Sequence, residues 1–259
     1  MAVRKHIRDL TVRSGEYIGE RFVLLKCTDE NAPLPPMLPG QFAQLRVDGS
    51  KSTFLRRPVS INYVDTSDNE VWFLIQIIGD GSRALARLKS GDNLNALLPL
   101  GHGFTMPRGK SDSYLLVGGG VGVAPLLFLG DRIREMGGSP SFLLGARTSG
   151  MLLEKDMFRS LGNVYITTED GTEGERGFVT HHSVWRERRF DMISVCGPSP
   201  MMKAVARKAC DMDMPCEVSL ENMMACGMGA CLCCVEKTVR GNVCVCTEGP
   251  VFDVKELNW

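Results

Sequence analysis

Hydrophobic positions along this chain change rhythm twice. From the start to about residue 105 they gather in short β-rich runs: YIGERFVLLKC (17–27), QFAQLRV (41–47), RPVSINYV (57–64), VWFLIQII (71–78) and LNALLPL (94–100). Turn-forming segments separate them, such as the proline-rich 31–40 and the polar 65–70. Several short strands at such spacing predict an antiparallel β-barrel or sandwich, with one short helix at 82–91 ended by Gly91. From about residue 112 the pattern alternates. Apolar runs at 113–119, 141–147, 163–170 and 190–197 read as strands, and helical spacing fills 124–136, 153–162 and 200–212. Strands alternating with helices predict a parallel sheet in an α/β domain. After residue 215 the helical signal fades, and 243–249 and 251–257 read as short strands. The expected division is 1–108, 109–215 and 216–259: a β-barrel, an α/β parallel-sheet domain and a small C-terminal domain.

Composition narrows the function classes. The 259 residues carry 30 Lys and Arg against 30 Asp and Glu, so the net charge is zero. A chain without basic excess is not expected to bind nucleic acid or to hold a membrane by a polybasic patch. The N-terminus MAVRKHIRDL has no apolar stretch of the secretory kind. The longest apolar run, 114–130, is short for a bilayer and holds five glycines. The expectation is a cytoplasmic protein.

Cysteine placement changes the picture most. Of ten cysteines, six fall between Cys226 and Cys246. A disulfide framework would be spread through a small secreted chain, whereas a dense cluster at one end reads as a metal site. Taking Cys226, Cys231, Cys234 and Cys246 gives C-x4-C-x2-C followed by a distant fourth cysteine. That is the spacing of plant-type [2Fe–2S] ligation. One tight loop bends around two irons, Gly227 and Gly229 leave amides free to face sulfur, and the fourth thiolate closes the cage. A structural zinc site would favour two C-x2-C pairs, and only one clean pair is present. Cys233 and Cys244, alternating neighbours of ligands, are expected to point the other way.

Three further motifs carry phosphate chemistry. Arg57-Pro58-Val59-Ser60 offers a guanidinium fork and a hydroxyl. It is followed by Leu74-Ile75-Gln76 and then by Gly81-Ser82, which opens the short predicted helix and suits a pyrophosphate. Alone such an arginine is a solvated turn; with the glycine-led helix start it points to a flavin dinucleotide. Gly118-Gly119-Gly120-Val121-Gly122 joins a strand to a helix, as a phosphate-binding turn does, though it lacks the G-x-G-x-x-G fingerprint. Cys196-Gly197-Pro198, running on to Met201, joins another strand to a helix. In an open parallel sheet these two turns meet at the carboxyl ends of the strands. His6, His102, His181 and His182 fall in no catalytic or metal pattern.

Taken together, these motifs resemble the ferredoxin–NADP reductase superfamily, which pairs a flavin-binding barrel with a nicotinamide-binding α/β domain. Pro39-Gly40-Gln41-Phe42 completes the ordered set. The segment from Glu221 through Cys226, Cys231 and Cys234, and then Cys246 through Phe252, is similar to the electron-transfer subunits of dihydroorotate dehydrogenase B. The resemblance implies FAD, one [2Fe–2S] cluster and NAD as electron acceptor. It assigns Arg57, Pro58, Val59, Ser60, Leu74, Ile75, Gln76, Gly81 and Ser82 to FAD. It assigns Gly118, Gly119, Gly120, Gly122, Cys196, Gly197, Pro198 and Met201 to NAD, and the four cysteines to the cluster. It implies no acid–base residue, and it implies as partner an FMN-containing dihydroorotate dehydrogenase catalytic subunit, in a heterotetramer serving pyrimidine synthesis. Two other readings are open at this point: a reductase subunit feeding a ferredoxin, a hydrogenase or an oxygenase, and a non-enzymatic zinc-binding interaction module. Glu169 and Asp170, at the end of a predicted strand, favour NAD over NADP, although Arg147 and Lys155 are nearby cations.

Overall fold

Seven strands build the first sheet in this computed structural model, which describes residues 4–259. They are β1 (His6–Ile18), β2 (Phe22–Thr28), β3 (Phe42–Leu45), β4 (Arg57–Ser60), β5 (Tyr63–Asp65), β6 (Glu70–Gln76) and β7 (Asn93–Leu100), with helix α1 (Asp80–Leu85) after β6. Every pairing is antiparallel, in the order β4-β3-β7-β1-β2-β6-β5. The sheet curls around Leu10, Val23, Leu25, Leu45, Phe73 and Leu98. Its outer strands β4 and β5 are not paired with each other, so it is a half-barrel open on that side. The cleft described below lies along β4.

Sequence pattern missed most of β1, placing the first strand only from Tyr17. The cause is visible in its burial: of thirteen residues only Leu10 and Val12 are fully buried, so alternation is weak. The strand exists because both neighbours pair with it, β7 along residues 6–11 and β2 along residues 11–18. The short helix is also displaced, covering Asp80–Leu85 rather than 82–91.

The second sheet is parallel through β8 (Ser113–Gly119), β9 (Ser139–Ala146), β10 (Asn163–Thr168), β11 (Glu175–Arg176), β12 (Met192–Cys196) and β13 (Cys216–Ser219). Helices α2 (Ala124–Glu135), α3 (Lys155–Leu161), α4 (Val184–Glu187) and α5 (Ser199–Asp211) connect them. Helix α2 is buried through Ala124 to Gly130, as expected of the crossover after a central strand. Strand order is β11-β10-β9-β8-β12-β13-β16, where β16 (Val251–Asp253) runs antiparallel to β13. The boundary expected at 215/216 therefore falls where the sheet is still being built: β13 and β16, from the cysteine-rich zone, are its last two strands on one side.

Between them the chain forms a small hairpin, β14 (Val235–Thr238) and β15 (Gly241–Cys244), then helix α6 (Val245–Glu248). The expected strand at 243–249 is thus largely a helical turn. Its alternating valines and cysteines bury Val245 and Cys246 through α6 rather than through a pleat. One apolar cluster joins all three zones, uniting Phe42 and Leu100, Val117 and Val195, and Val245, Cys246 and Phe252.

Half-barrel and parallel sheet also meet through a polar contact. Asn62 is fully buried; its Nδ2 donates to the Ala124 carbonyl and to Glu154 Oε2, each at 3.1 Å. Asn62 Oδ1 and Glu154 Oε1 are sealed from solvent without partners. Desolvation raises the Glu154 carboxyl to about 7. The folded state then holds a proton there that the unfolded chain releases near the ordinary value of 4.5. Stability from this group is lost as pH rises from about 4.5 to about 7, at most about 3 kcal/mol, and is flat above that. Thermal unfolding between pH 5 and 8 should show the wild-type midpoint falling with pH more steeply than that of Glu154→Gln, in which Glu217 and Glu221 keep their raised carboxyls. Parallel profiles for the two proteins would contradict a protonated Glu154.

Candidate functional site

Two clefts and one cysteine loop lie in a row across the junction of the sheets. The first cleft, of about 680 Å³, is lined by all nine residues expected to hold a flavin: Arg57, Pro58, Val59 and Ser60 of β4, Leu74, Ile75 and Gln76 of β6, and Gly81 and Ser82 of α1. Strand β4 places its four residues at the open edge of the half-barrel, all of them partly exposed. Arg57 is held against α1: a Cβ added at Gly81 would stand 2.8 Å from Arg57 Nε. The Ser82 hydroxyl closes its own turn. It accepts the Ile78 and Gly79 amides at 2.9 and 3.0 Å and donates to the Gly79 carbonyl at 3.0 Å. The far wall comes from residues that pattern reading did not single out for this cleft: Leu220, Glu221, Asn222, Met223 and Met224, with Cys196 beside them. No local signal tied those residues to a flavin, because they reach the cleft only through the second sheet.

The second cleft, of about 620 Å³, takes Gly119 and Gly120 from the turn after β8 and Pro198 and Met201 from the turn into α5. Gly118, Gly122 and Gly197 do not line this cleft; they are buried in the two turns, where Gly122 and Gly197 let two backbones touch. Strands β8 and β12 are neighbours, with Gly118 opposite Cys196, so their turns emerge together. A Cβ at Gly122 would meet the Gly197 nitrogen at 2.5 Å, a contact only glycine permits. Cys196 faces the flavin cleft instead and is fully buried, which pushes its thiol well above the ordinary range. The rest of the second cleft includes Arg147, Thr167 and Glu169 at the ends of β9 and β10, and Arg21 from the turn between β1 and β2. Sequence reading set Glu169 and Arg147 near the nucleotide, and the rule that ligands bind at the carboxyl ends of parallel strands could have located Thr167 as well. Nothing local marked Arg21. Asp170 turns away, its carboxylate accepting from the Thr172 amide and hydroxyl.

Gln76, Val121 and Glu221 line both clefts. Glu221 keeps contact with solvent there, while the protein around its carboxyl raises its pKa by desolvation.

Directly after the flavin-cleft residues comes the cysteine loop. Three backbone amides point at sulfur: Met228 at Cys226 Sγ (3.4 Å), Gly229 at Cys246 Sγ (3.2 Å) and Cys246 at Cys234 Sγ (3.4 Å). The Met228 amide is the main reason the Cys226 thiol is pulled down to about 6. Cys234 and Cys246 are buried together, and burial raises Cys246 to about 12. Cys231 is exposed and bonds back toward Cys226. Four thiols, three of them receiving amide hydrogens, fit a sulfur-rich anionic group. No three metal-binding side chains among the described residues converge on one ion position. Cys233 is exposed. Cys244, expected to point away, instead stays beside the group: its thiol faces the Gly229 carbonyl at 3.9 Å and is raised by burial and by Cys234. The bend into α6 turns it inward.

No histidine joins these sites. His182 is buried, and its Nδ1 accepts the Val184 amide at the start of α4.

Residues 221–258 match the family described as the iron-sulfur cluster binding domain of dihydroorotate dehydrogenase B, and residues 116–207 match the oxidoreductase NAD-binding domain. The chain is 38% identical over 256 residues to the dihydroorotate dehydrogenase B (NAD(+)) electron transfer subunit of Bacillus velezensis, covering 96% of this chain and 97% of the relative. Its counterpart in Shouchella clausii is 39% identical over 224 residues, 85% and 86% of the two chains. Among solved structures, one reported for the NADH-dependent reduced ferredoxin-NADP oxidoreductase superposes with a TM-score of 0.84 at 28% identity, over 96% of this chain and 90% of that one. Phthalate dioxygenase reductase shares the fold, with a TM-score of 0.63 at 22% identity over 78% and 64% of the two chains. With near-complete coverage at this identity, and with the cysteine segment matched as well, the chain belongs to the family of dihydroorotate dehydrogenase B electron transfer subunits.

Proposed function

We propose that the chain carries electrons from a catalytic dihydroorotate dehydrogenase subunit to NAD⁺, in the service of pyrimidine synthesis. The observation that carries this reading is the adjacency of the three sites. Asn222, Met223 and Met224 line the flavin cleft and Cys226 follows two residues later, while Gln76, Val121 and Glu221 belong to both clefts. When bound, a [2Fe–2S] cluster moves single electrons, nicotinamide takes a hydride, and FAD joins the two regimes.

The chain's own residues position these groups. Arg57 and Ser60, with Gly81 at the start of α1, hold the flavin phosphates and ring, and Leu74 to Gln76 form the opposite side. Gly119, Gly120, Pro198 and Met201 frame the nicotinamide, Gly122 and Gly197 let their two turns touch, and Gly118 and Cys196 stand opposite each other where β8 and β12 end. Cys226, Cys231, Cys234 and Cys246 hold the cluster. Hydride exchange between a flavin and a nicotinamide would require no acid–base residue from this chain.

The partner approaches the cysteine loop. Met228 and Leu232 are exposed in the loop that carries the exposed Cys231, an apolar rim beside a sulfur site that must meet another redox centre. The partner is an FMN-bearing catalytic subunit, and two copies of each chain form the complex. Among the described residues no helix is long and apolar enough to cross a membrane; a cytoplasmic location is part of the proposal.

Single replacement of Cys226, Cys231, Cys234 or Cys246 by Ala should strip most of the iron and its visible absorption. Cys233→Ala and Cys244→Ala should keep most of both. Normal iron content in Cys246→Ala would assign the fourth ligand to another thiolate, with Cys244 the nearest candidate.

Glu169 lies in the nicotinamide cleft, where its carboxylate would repel a 2′-phosphate and accept from a free 2′-hydroxyl. Steady-state kinetics should favour NAD over NADP by at least about tenfold in kcat/KM, about 1.4 kcal/mol, and Glu169→Gln should narrow that ratio. Equal kcat/KM values for the two nucleotides in the wild type would sink the assignment.

The reading as a whole is tested by reconstitution. The isolated chain should oxidise NADH with artificial acceptors and leave dihydroorotate untouched. Adding the FMN-bearing subunit should create dihydroorotate-dependent NAD⁺ reduction. Oxidation of dihydroorotate by this chain alone would overturn it.

A further inference from the structure

Gln44 is the one glutamine of the half-barrel whose amide is fully buried with nothing to bond. The residue has no exposed surface, and neither its Nε2 nor its Oε1 has a hydrogen-bond partner. Gln41, three residues earlier, donates to the Gly101 carbonyl at 2.8 Å, so burial by itself does not explain the unpartnered amide. A donor sealed from water and left unpaired is costly, and native structures rarely tolerate one without a reason.

Its surroundings supply the reason. Ala43 and Leu45, on either side, point into the barrel core. Strand alternation therefore turns Gln44 to the outer face with Phe42, which packs in the cluster that contains Cys234 and Cys246. On that face lies the cysteine loop. A Cβ added at Gly227 would stand 2.9 Å from Gln44 Cγ and 3.3 Å from Nε2. Gly227 follows Cys226 directly and has a φ of +69°, so only glycine allows the loop to lie this close over the amide. The Gln44 carbonyl is itself fixed by Arg56 Nη1 at 3.1 Å, and β3 pairs Gln44 with Pro58 of the flavin cleft.

We propose that Gln44 Nε2 donates its hydrogen to a sulfur at the Cys226 corner of the cluster and raises the cluster's reduction potential. The inference rests on the four cysteines holding a [2Fe–2S] cluster. Each electron added to such a cluster increases negative charge on sulfur, so a donor there stabilises the reduced form more than the oxidised one. The Met228, Gly229 and Cys246 amides supply such bonds from the loop's own backbone. Gln44 supplies one from the strand that pairs with the flavin-binding β4. The half-barrel thereby sets how readily the cluster gives up its electron to the neighbouring flavin.

Gln44→Met keeps the side-chain length and removes the donor. In the complete, cofactor-loaded chain it should retain iron and FAD, while a redox titration followed by electron paramagnetic resonance should show the cluster harder to reduce. The expected change is about tenfold in the reduced-to-oxidised ratio at a fixed potential, or about 59 mV for one electron. An independent measurement needs no variant. The chain has three glutamines; with their side-chain amides labelled by ¹⁵N, pulsed resonance on the reduced wild-type cluster should detect a coupled amide nitrogen and its exchangeable proton. An unchanged potential in iron-loaded Gln44→Met, or no such coupling in the wild type, overturns the proposal. If Gln44→Met fails to assemble, the labelling result decides. A wild-type chain that holds no iron would instead remove the cluster reading, and the role of Gln44 with it.

Discussion

Everything in this molecule depends on the cysteine segment being tied at both ends to the same sheet edge. It leaves the second sheet at the end of β13 and returns to it as β16, antiparallel to the strand it left, with Glu217 opposite Asp253 and Ser219 opposite Val251. The Leu220 amide bonds the Pro250 carbonyl at 2.9 Å just beyond the ladder. The His102 amide reaches the Gly249 carbonyl at 2.6 Å, which pins the return path to the end of the half-barrel. A segment of about thirty residues that leaves Met223, Met228, Leu232, Val235 and Val239 exposed could not hold a defined position by burial alone. Closed at its base, it is a loop whose outer end is free to present Cys231, while its inner end is fixed against the flavin cleft.

Packing makes the three zones one body. The cluster that holds Phe42 and Leu100 of the half-barrel also holds Val117 and Val195 of the parallel sheet and Val245 and Cys246 of the C-terminal segment. A second cluster joins Phe22, Leu24 and Leu74 to Leu126 and Leu127 of α2. One carboxyl at these contacts is bonded at both of its oxygens. Glu217 is buried, which raises its carboxyl, yet it accepts the Ser194 hydroxyl at 2.8 Å and the Thr105 amide at 3.1 Å. It thereby links the segment after the half-barrel to the sheet edge. Sites that exchange electrons gain from such rigidity, because the distance between them is then set by the fold and not by encounter.

Much of the chemistry could be read before any coordinates. The spacing of Cys226, Cys231 and Cys234 is legible because ligation geometry is local: the thiolates of one short loop must reach one small object. The turn at Gly118–Gly122 is legible for the same reason, since a strand-to-helix turn and its glycines are contiguous. Binary pattern likewise separated the antiparallel zone from the alternating one, because periods of 2.0 and 3.6 belong to neighbouring residues.

The remainder was decided by partners distant in the chain. Strand β1 is ordered by β2 and β7, not by its own weak alternation, and the 243–249 segment bends into α6 because Val245 and Cys246 find a core that only the assembled sheets provide. Arg21 enters the second cleft from a turn nearly a hundred residues before the glycine turn that also lines it, and Asn222 to Met224 reach the first cleft only because β13 ends beside it. Gln44 looks like any polar residue in a strand until Gly227 closes over it. Sequence determined which groups could bind sulfur, phosphate and flavin, because those capacities reside in residue type and short spacing. Tertiary structure decided which of them meet, because burial and desolvation are properties of an environment that no single segment contains.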